Sequence, residues 1–266
     1  MPNKNQNNTL VYIMFTDIVG YSTLVGKNQP LALKLLEAHN QILSTDIQKH
    51  NGRIIKHTGD GYFACFQSAT DALSSALNFQ TKIQDRNQIV NEKNRFQVRV
   101  GIHKGEAVEK NNDLFGHDIN VASRIEGVCV FGGIAISDDM LSSLNKEDIF
   151  TRKMGYVKMK NIRNPQLLHN VYLSKKDWES QSDNELINNQ LKRGIHIVDI
   201  NEYQIQNTFS VGICYFETLG SDLEDDKRVT RNLTEDIISD FEKINDVRSA
   251  SKVDVERFSN SNYSIH

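Results

Sequence analysis

Only three cysteines, three prolines and one tryptophan occur in the 266 residues. Cys65, Cys129 and Cys214 are odd in number and far apart, which fits neither a disulfide framework nor a zinc knuckle and points to a reducing cytosol. No apolar run approaches the roughly 20 residues that a bilayer span needs. The densest, residues 11–15, lasts only as long as a strand. Positive charge is not in excess: Lys+Arg 31 against Asp+Glu 34 leaves a net charge of -3, which argues against a general nucleic-acid binder. The opening residues are polar, Asn-rich and without the apolar centre of an export signal, so residues 1–9 read as a disordered leader.

What is present has the texture of a layered α+β fold. Residues 10–15 form a continuous apolar run of the kind covered on both faces, so this strand belongs at the centre of a sheet. Pro30 opens a helix in which Leu31, Leu35, Ala38 and Ile42 recur at helical spacing, and Asn51-Gly52 stops it. Residues 53–56 and 62–66 are two short strands around His57-Thr58-Gly59-Asp60-Gly61, whose glycines permit a tight hairpin. A helix over 70–87 carries Ala72, Leu73, Ala76, Leu77 and Ile83 on one side. A strand over 96–102, helical residues 119–125 and a strand over 134–137 follow. The order β-α-β-β-α-β is ferredoxin-like.

After Leu173 the texture changes. Residues 174–194 are rich in Lys, Asp, Ser, Asn and Gln and read as a linker, with Trp178 and Leu186 leaving room for a helical connector. Beyond it, residues 195–266 form a second, smaller α/β unit: Phe209, Val211, Ile213 and Tyr215 alternate along a strand over 209–216, and Thr234 caps a helix striped by Ile237, Ile238, Phe241 and Ile244. Residues 259–266 carry no signal for a closing element, so this unit reads as incomplete.

Three places carry chemistry. The first strand ends in Thr16-Asp17-Ile18-Val19-Gly20-Tyr21, where a carboxylate and turning backbone amides emerge together, a combination able to hold both metal and phosphate. The hairpin offers a second carboxylate, Asp60, and pairing of its strands with the first brings Asp60 beside Asp17, where two hard oxygen ligands can share two divalent cations. Either motif alone is an ordinary turn. The third place is Arg99 on a strand, followed by Asp113 and then Asn120 and Arg124. These last two lie four apart, so one helix face presents an amide and a guanidinium suited to a ribose and a transferring phosphate.

With these residues in this order, the sequence resembles the class III nucleotide cyclase catalytic domain from residue 10 to residue 173. The resemblance implies a two-metal reaction with Mg²⁺ or Mn²⁺: Asp17, Asp60 and the Ile18 backbone match the metal site, and Val19, Gly20 and Tyr21 match the phosphate-cradling turn. Lys56 and Asp113 match the pair that selects the base, Asn120 and Arg124 the transition-state residues, and Arg99 and Lys160 positions that contact the phosphate tail. It also implies a head-to-tail homodimer in which one chain supplies Asp17, Asp60 and Arg99 and the other Lys56, Asp113, Asn120, Arg124 and Lys160. Phe131 replaces a common proline, and Asn161 replaces a common glycine after the phosphate-contacting lysine.

A Lys donor with an Asp acceptor complements adenine, which offers an acceptor at N1 and a donor at N6; guanine presents the opposite pattern. The expectation is therefore a soluble, cytoplasmic adenylate cyclase acting on ATP. A cyclase for GTP or a pyrimidine triphosphate and a non-catalytic nucleotide-binding regulator are the alternatives. The carboxy-terminal part is similar to the amino-terminal domain of TolB-like proteins through residues 209–216 and Asn232-Leu233-Thr234-Glu235-Asp236-Ile237-Ile238, which leaves two readings open, a sensing or assembly role with a regulatory partner or ligand there and a purely structural extension.

Overall fold

The computed structural model describes residues 8–145, 147, 149–207, 209–211, 224–242 and 247–249, and the chain divides into two units, Met1–Val198 and Asp199–His266. In chain order the first unit contains β1 (Asn8–Ile18), α1 (Tyr21–Lys27), α2 (Gln29–Lys49), β2 (Arg53–His57), β3 (Tyr62–Phe66), α3 (Ala69–Ile89) and β4 (Val98–Lys110). There follow β5 (Asp113–Phe115), α4 (His117–Val128), β6 (Ile134–Ser137), α5 (Asp138–Leu141), β7 (Thr151–Val157), β8 (Gln166–Val171), α6 (Lys175–Glu179), α7 (Asp183–Lys192) and β9 (Ile197–Val198).

The sheet runs β2-β3-β1-β4-β6-β8-β7-β9, with β5 paired to β4. Its first four strands are antiparallel in the ferredoxin-like order, and β6 then joins β4 in parallel. The apolar run of β1 is central and covered twice, as its composition requires. Met14 and Ile18 pack with Leu35, Leu43 and Ile47 of α2 and Ala72, Ala76 and Phe79 of α3. Val11 and Ile13 pack on the other face with Phe63, Ala107 and Ala122. The two long helices start where local chemistry directs. Asn28 accepts from the Leu31 N–H (3.1 Å) with Pro30 in the first turn of α2, and Ser68 accepts from the Asp71 N–H (3.3 Å) at α3.

His39 of α2 is completely buried against the Tyr62 and Phe96 rings, at 5.7 and 6.2 Å between centroids. Burial lowers its pKa from 6.5 to about 4, only partly opposed by the Asn40 hydrogen bond. The unfolded chain therefore takes up this proton near 6.5 and the fold resists it until about 4, so stability is present above 6.5 and is lost as pH falls through that window. The expected loss is about 3 kcal/mol, one tenfold step per pKa unit. Denaturation curves across this range should be steeper in pH for the wild type than for His39→Leu; parallel profiles would contradict the assignment.

The segment expected as a linker folds onto the first unit: α6 and α7 fill residues 174–194, Leu186 is buried with Val121, Ile125 and Met154, and β9 pairs with β7. Residues 195–198 thus belong with the first unit. In the second unit, α8 (Ile200–Asn207) precedes β10 (Phe209–Val211), α9 (Glu224–Glu242) and β11 (Val247–Ser249), and β10 and β11 pair in parallel. Thr234 does not cap a helix, as its type suggested. It lies buried inside α9, its hydroxyl donating to the Thr230 carbonyl (2.8 Å), because the charged run before it is helical as well. The rest of the expected strand, 212–216, residues 259–266, Cys214 and most of the expected leader, 1–7, lie outside the described residues. No described helix is long and apolar enough to cross a membrane.

Candidate active site

Pairing of β1 with β3 brings Asp17 and Asp60 together. The hairpin approaches so closely that a Cβ on Gly61 would lie 1.7 Å from the Thr16 carbonyl oxygen, so only glycine fits. Two further bonds fix the approach: Tyr62 N–H to Thr16 Oγ1 (2.9 Å) and Ile18 N–H to the Asp60 carbonyl (3.3 Å). The Asp60 carboxyl is within hydrogen-bonding reach of Asp17, and its pKa is raised, first by burial and then by the Asp17 charge. A buried carboxyl that resists ionising beside a second carboxylate is suited to a cation.

The donor set also matches a hard one. Among the described residues no group of three or more His, Cys, Asp or Glu side chains could hold a metal, so Asp17 and Asp60 would be joined by backbone carbonyls, substrate oxygens and water. That is how Mg²⁺ is commonly bound, through one or two carboxylates and phosphates.

Arg99, opposite Asp17 across β1 and β4, donates Nη2 to Asp17 Oδ2 (2.5 Å). Its Nε lies 2.8 Å from Glu126 Oε1 as an ion pair without an aligned hydrogen bond. Glu126 is the site residue that sequence reasoning missed. Burial, with the Asp17 and Asp60 charges added, raises its carboxyl to about 7 despite Arg99. It is seated there because α4 lies directly on β4: a Cβ on Gly101 would stand 2.2 Å from the Glu126 backbone nitrogen. The available signal was a carboxylate beside the buried stripe Val121, Ala122 and Ile125.

The turn after Asp17 is partly committed already. The Ile18 N–H goes to Asp60 and the Val19 N–H to the Gln97 carbonyl (2.9 Å), so Val19 has no amide left for an anion. Gly20, at φ 74°, turns the chain into α1, and the amides of Gly20 and Tyr21 head that helix, where no intrahelical acceptor meets them.

Lys56 of β2 and Asp113 of β5 meet directly, Nζ to Oδ2 at 2.6 Å, and this hydrogen bond holds the Asp113 carboxyl below its usual range. The Lys56 ammonium also lies 5.7 Å from the Phe63 ring centroid. On α4, Asn120 and Arg124 share the exposed face opposite the buried stripe. Arg124 Nε donates to the Lys160 carbonyl (3.2 Å), joining the helix to the segment after β7, where Asn161 adopts φ 62° in place of a glycine. The described contacts therefore form three sets: Asp17 with Asp60, Arg99 and Glu126; Lys56 with Asp113; and Arg124 with Lys160. Among the described residues no hydrogen bond or ion pair joins one set to another. Cys65 and Cys129 are buried free thiols, with burial pushing Cys129 up to about 12, and His103 is buried against Ser137 (2.8 Å).

Residues 3–173 match the family described as "Adenylate and Guanylate cyclase catalytic domain". "Putative adenylate cyclase 3" of Rhizobium meliloti (strain 1021) is 31% identical over 237 residues, 88% of this chain and 38% of that protein. The chain thus spans well under half the length of this curated relative. An adenylate/guanylate cyclase/hydrolase structure from Silicibacter pomeroyi is similar at 32% identity and a TM-score of 0.57, covering 63% of this chain and 98% of that one. The adenylyl cyclase CyaB of P. aeruginosa shares the fold, with a TM-score of 0.56 at 24% identity over 64% of this chain and 97% of that chain.

Proposed function

Because the chain belongs to the adenylate and guanylate cyclase catalytic domain family, we propose that it is an adenylate cyclase, converting ATP to 3′,5′-cyclic AMP and pyrophosphate at a site shared by two copies of the chain. The observation that carries this reading is the convergence of Asp17 and Asp60. In the reaction the ribose 3′-oxygen bonds to the α-phosphorus, the bond from that phosphorus to the bridging oxygen breaks, and the hydroxyl proton passes to water. Two Mg²⁺ or Mn²⁺ ions on Asp17, Asp60 and the Ile18 carbonyl would lower the pKa of that hydroxyl and offset charge on the leaving pyrophosphate.

The chain's own residues do the rest. Asn120 orients the ribose, and Arg124 meets the charge that develops at the α-phosphate. The Gly20 and Tyr21 amides, Arg99 and Lys160 receive the phosphate tail. With cations held on Asp17, Arg99 would keep Glu126 as its partner. Lys56 donates to adenine N1 and Asp113 accepts from N6, and their 2.6 Å contact supports this by holding both groups at one spot before the base enters. The homodimer is head to tail, one chain giving Asp17, Asp60 and Arg99 and the other Lys56, Asp113, Asn120, Arg124 and Lys160. The separation of these sets within one chain supports that division.

The buried free thiols support a cytoplasmic setting. The β-α-β pairing in the second unit supports a TolB-like domain with a sensing or assembly role. The whole reading is tested by assaying the full chain with Mn²⁺ against ATP, GTP, CTP and UTP at several protein concentrations. The expected result is cyclic AMP from ATP, with a rate rising faster than linearly in protein as dimers form. A product from GTP alone would overturn the Lys56 and Asp113 assignment, and no product from any nucleotide would leave a binding regulator.

A further inference from the structure

Residues 174–198 lie just beyond the family match, yet they hold two pieces of the proposed site. Helix α4, which carries Asn120 and Arg124, has no basic residue in its last turn and ends at Cys129 in an extended conformation. Its last carbonyls and the negative end of its dipole therefore need an outside partner. Arg193, at the end of α7, supplies it: Nη1 donates to the Val128 carbonyl (3.2 Å) and Nη2 to the Cys129 carbonyl (2.6 Å). The guanidinium is itself held by Gln190 Oε1 (2.7 Å) and lies 5.2 Å from the Phe131 ring centroid. Two carbonyls taken by one planar fork are a contact that a lysine does not reproduce.

The platform beneath Arg193 is built to stay. Ser182 and Glu185 form a capping box at the start of α7, Arg152 pairs with Asp183, and Leu186 is buried in one cluster with Val121 and Ile125 of α4. The same strap reaches the segment carrying Lys160, since the Lys158 N–H donates to the His196 carbonyl (2.8 Å) and β9 pairs with Tyr156 and Val157. Lys160 in turn accepts from Arg124 through its carbonyl.

We propose that Arg193 is a positioning residue for the cyclase reaction: by capping the carboxy-terminal end of α4 from the strap 174–198, it fixes the helix face that presents Asn120 and Arg124. The proposal rests on the cyclase reading for its kinetic consequence and on geometry alone for its structural one. Arg193 stands six residues before Asp199, where the second unit begins.

The test uses the full chain with Arg193→Met, which keeps the stem and loses the fork, and Arg193→Lys, which keeps the charge. In Arg193→Met, kcat should fall about 10- to 100-fold, the scale of a small misplacement at a reacting centre. KM for ATP and Mn²⁺ binding by calorimetry should change little, because Arg124 acts in the transition state and the two carboxylates, Asp17 and Asp60, lie on β1 and the β2–β3 hairpin rather than on α4. Arg193→Lys should recover only part of the loss. Hydrogen exchange of amides in the last two turns of α4 should quicken by about tenfold in Arg193→Met as local opening becomes easier. Faster exchange with wild-type kcat would overturn the positioning role, and so would a fall in kcat with α4 exchange unchanged. A wild type that makes no cyclic nucleotide would sink the cyclase reading, and the exchange experiment would still decide whether Arg193 fixes α4.

Discussion

Asp60→Asn should give a folded protein with no measurable cyclase activity. Loss of an anionic ligand from a two-cation site removes several kcal/mol of transition-state stabilisation, which is a fall of about 10³-fold or more in kcat/KM. Stability should move the other way. The Asp60 pKa is raised by burial first and the Asp17 charge second. A raised acid stabilises the fold only below its unfolded pKa, and the contribution is lost as pH rises, so near neutral pH the ionised Asp60 works against folding. The amide carries no such burden. Thermal denaturation of Asp60→Asn should show an equal or higher midpoint than wild type near neutral pH, the advantage shrinking on acidification, while Mn²⁺ binding by calorimetry is lost. A variant that unfolds at lower temperature would show Asp60 to be a structural turn residue.

Arg124→Met should lower kcat by about 10² to 10³, the usual cost of removing one preorganised group that meets developing charge. KM for ATP and Mn²⁺ affinity should stay near wild type, since the side chain faces solvent on α4 and, among the described residues, hydrogen-bonds the Lys160 carbonyl alone. Stability should change by less than about 0.5 kcal/mol, as for most exposed substitutions. Steady-state kinetics beside a denaturation curve separates this from Asp60→Asn, which loses its cations. A large rise in KM with kcat intact would make Arg124 a ground-state binding residue instead.

The parts of this fold that were legible are those where a local pattern and the tertiary contacts agree. The β1 run is apolar at successive positions because α2 and α3 cover one face and the Ala122 side covers the other. The hairpin was readable through Gly61, whose missing Cβ permits the approach to Thr16. The four-residue spacing of Asn120 and Arg124 needed only a helix. What stayed hidden depends on partners far along the chain. Helix α7 reads as polar because Leu186 and Gln190 are its buried residues, and beyond the local capping box of Ser182 and Glu185 its hold comes from Arg152 and Arg193 contacts that no window of sequence contains. Thr234 looked like a cap because its type allows one, and the preceding helical turns overrode it. Glu126 was invisible because its meaning lies in Arg99, 27 positions earlier and in contact only through the sheet. Val19 fitted a phosphate turn by position, yet its N–H is taken by Gln97 from the strand edge.

The division of the site between two chains is tested most directly by mixing. Asp17→Ala and Arg124→Ala proteins, each inactive alone, are combined in equal amounts and allowed to exchange subunits. A two-fold dimer with two shared sites predicts that half of the dimers are mixed and that each of these has one intact site, so activity should return to about a quarter of wild type. A mixture as inactive as its components, with subunit exchange verified, would show that Asp17 and Arg124 serve the same chain and would contradict the account.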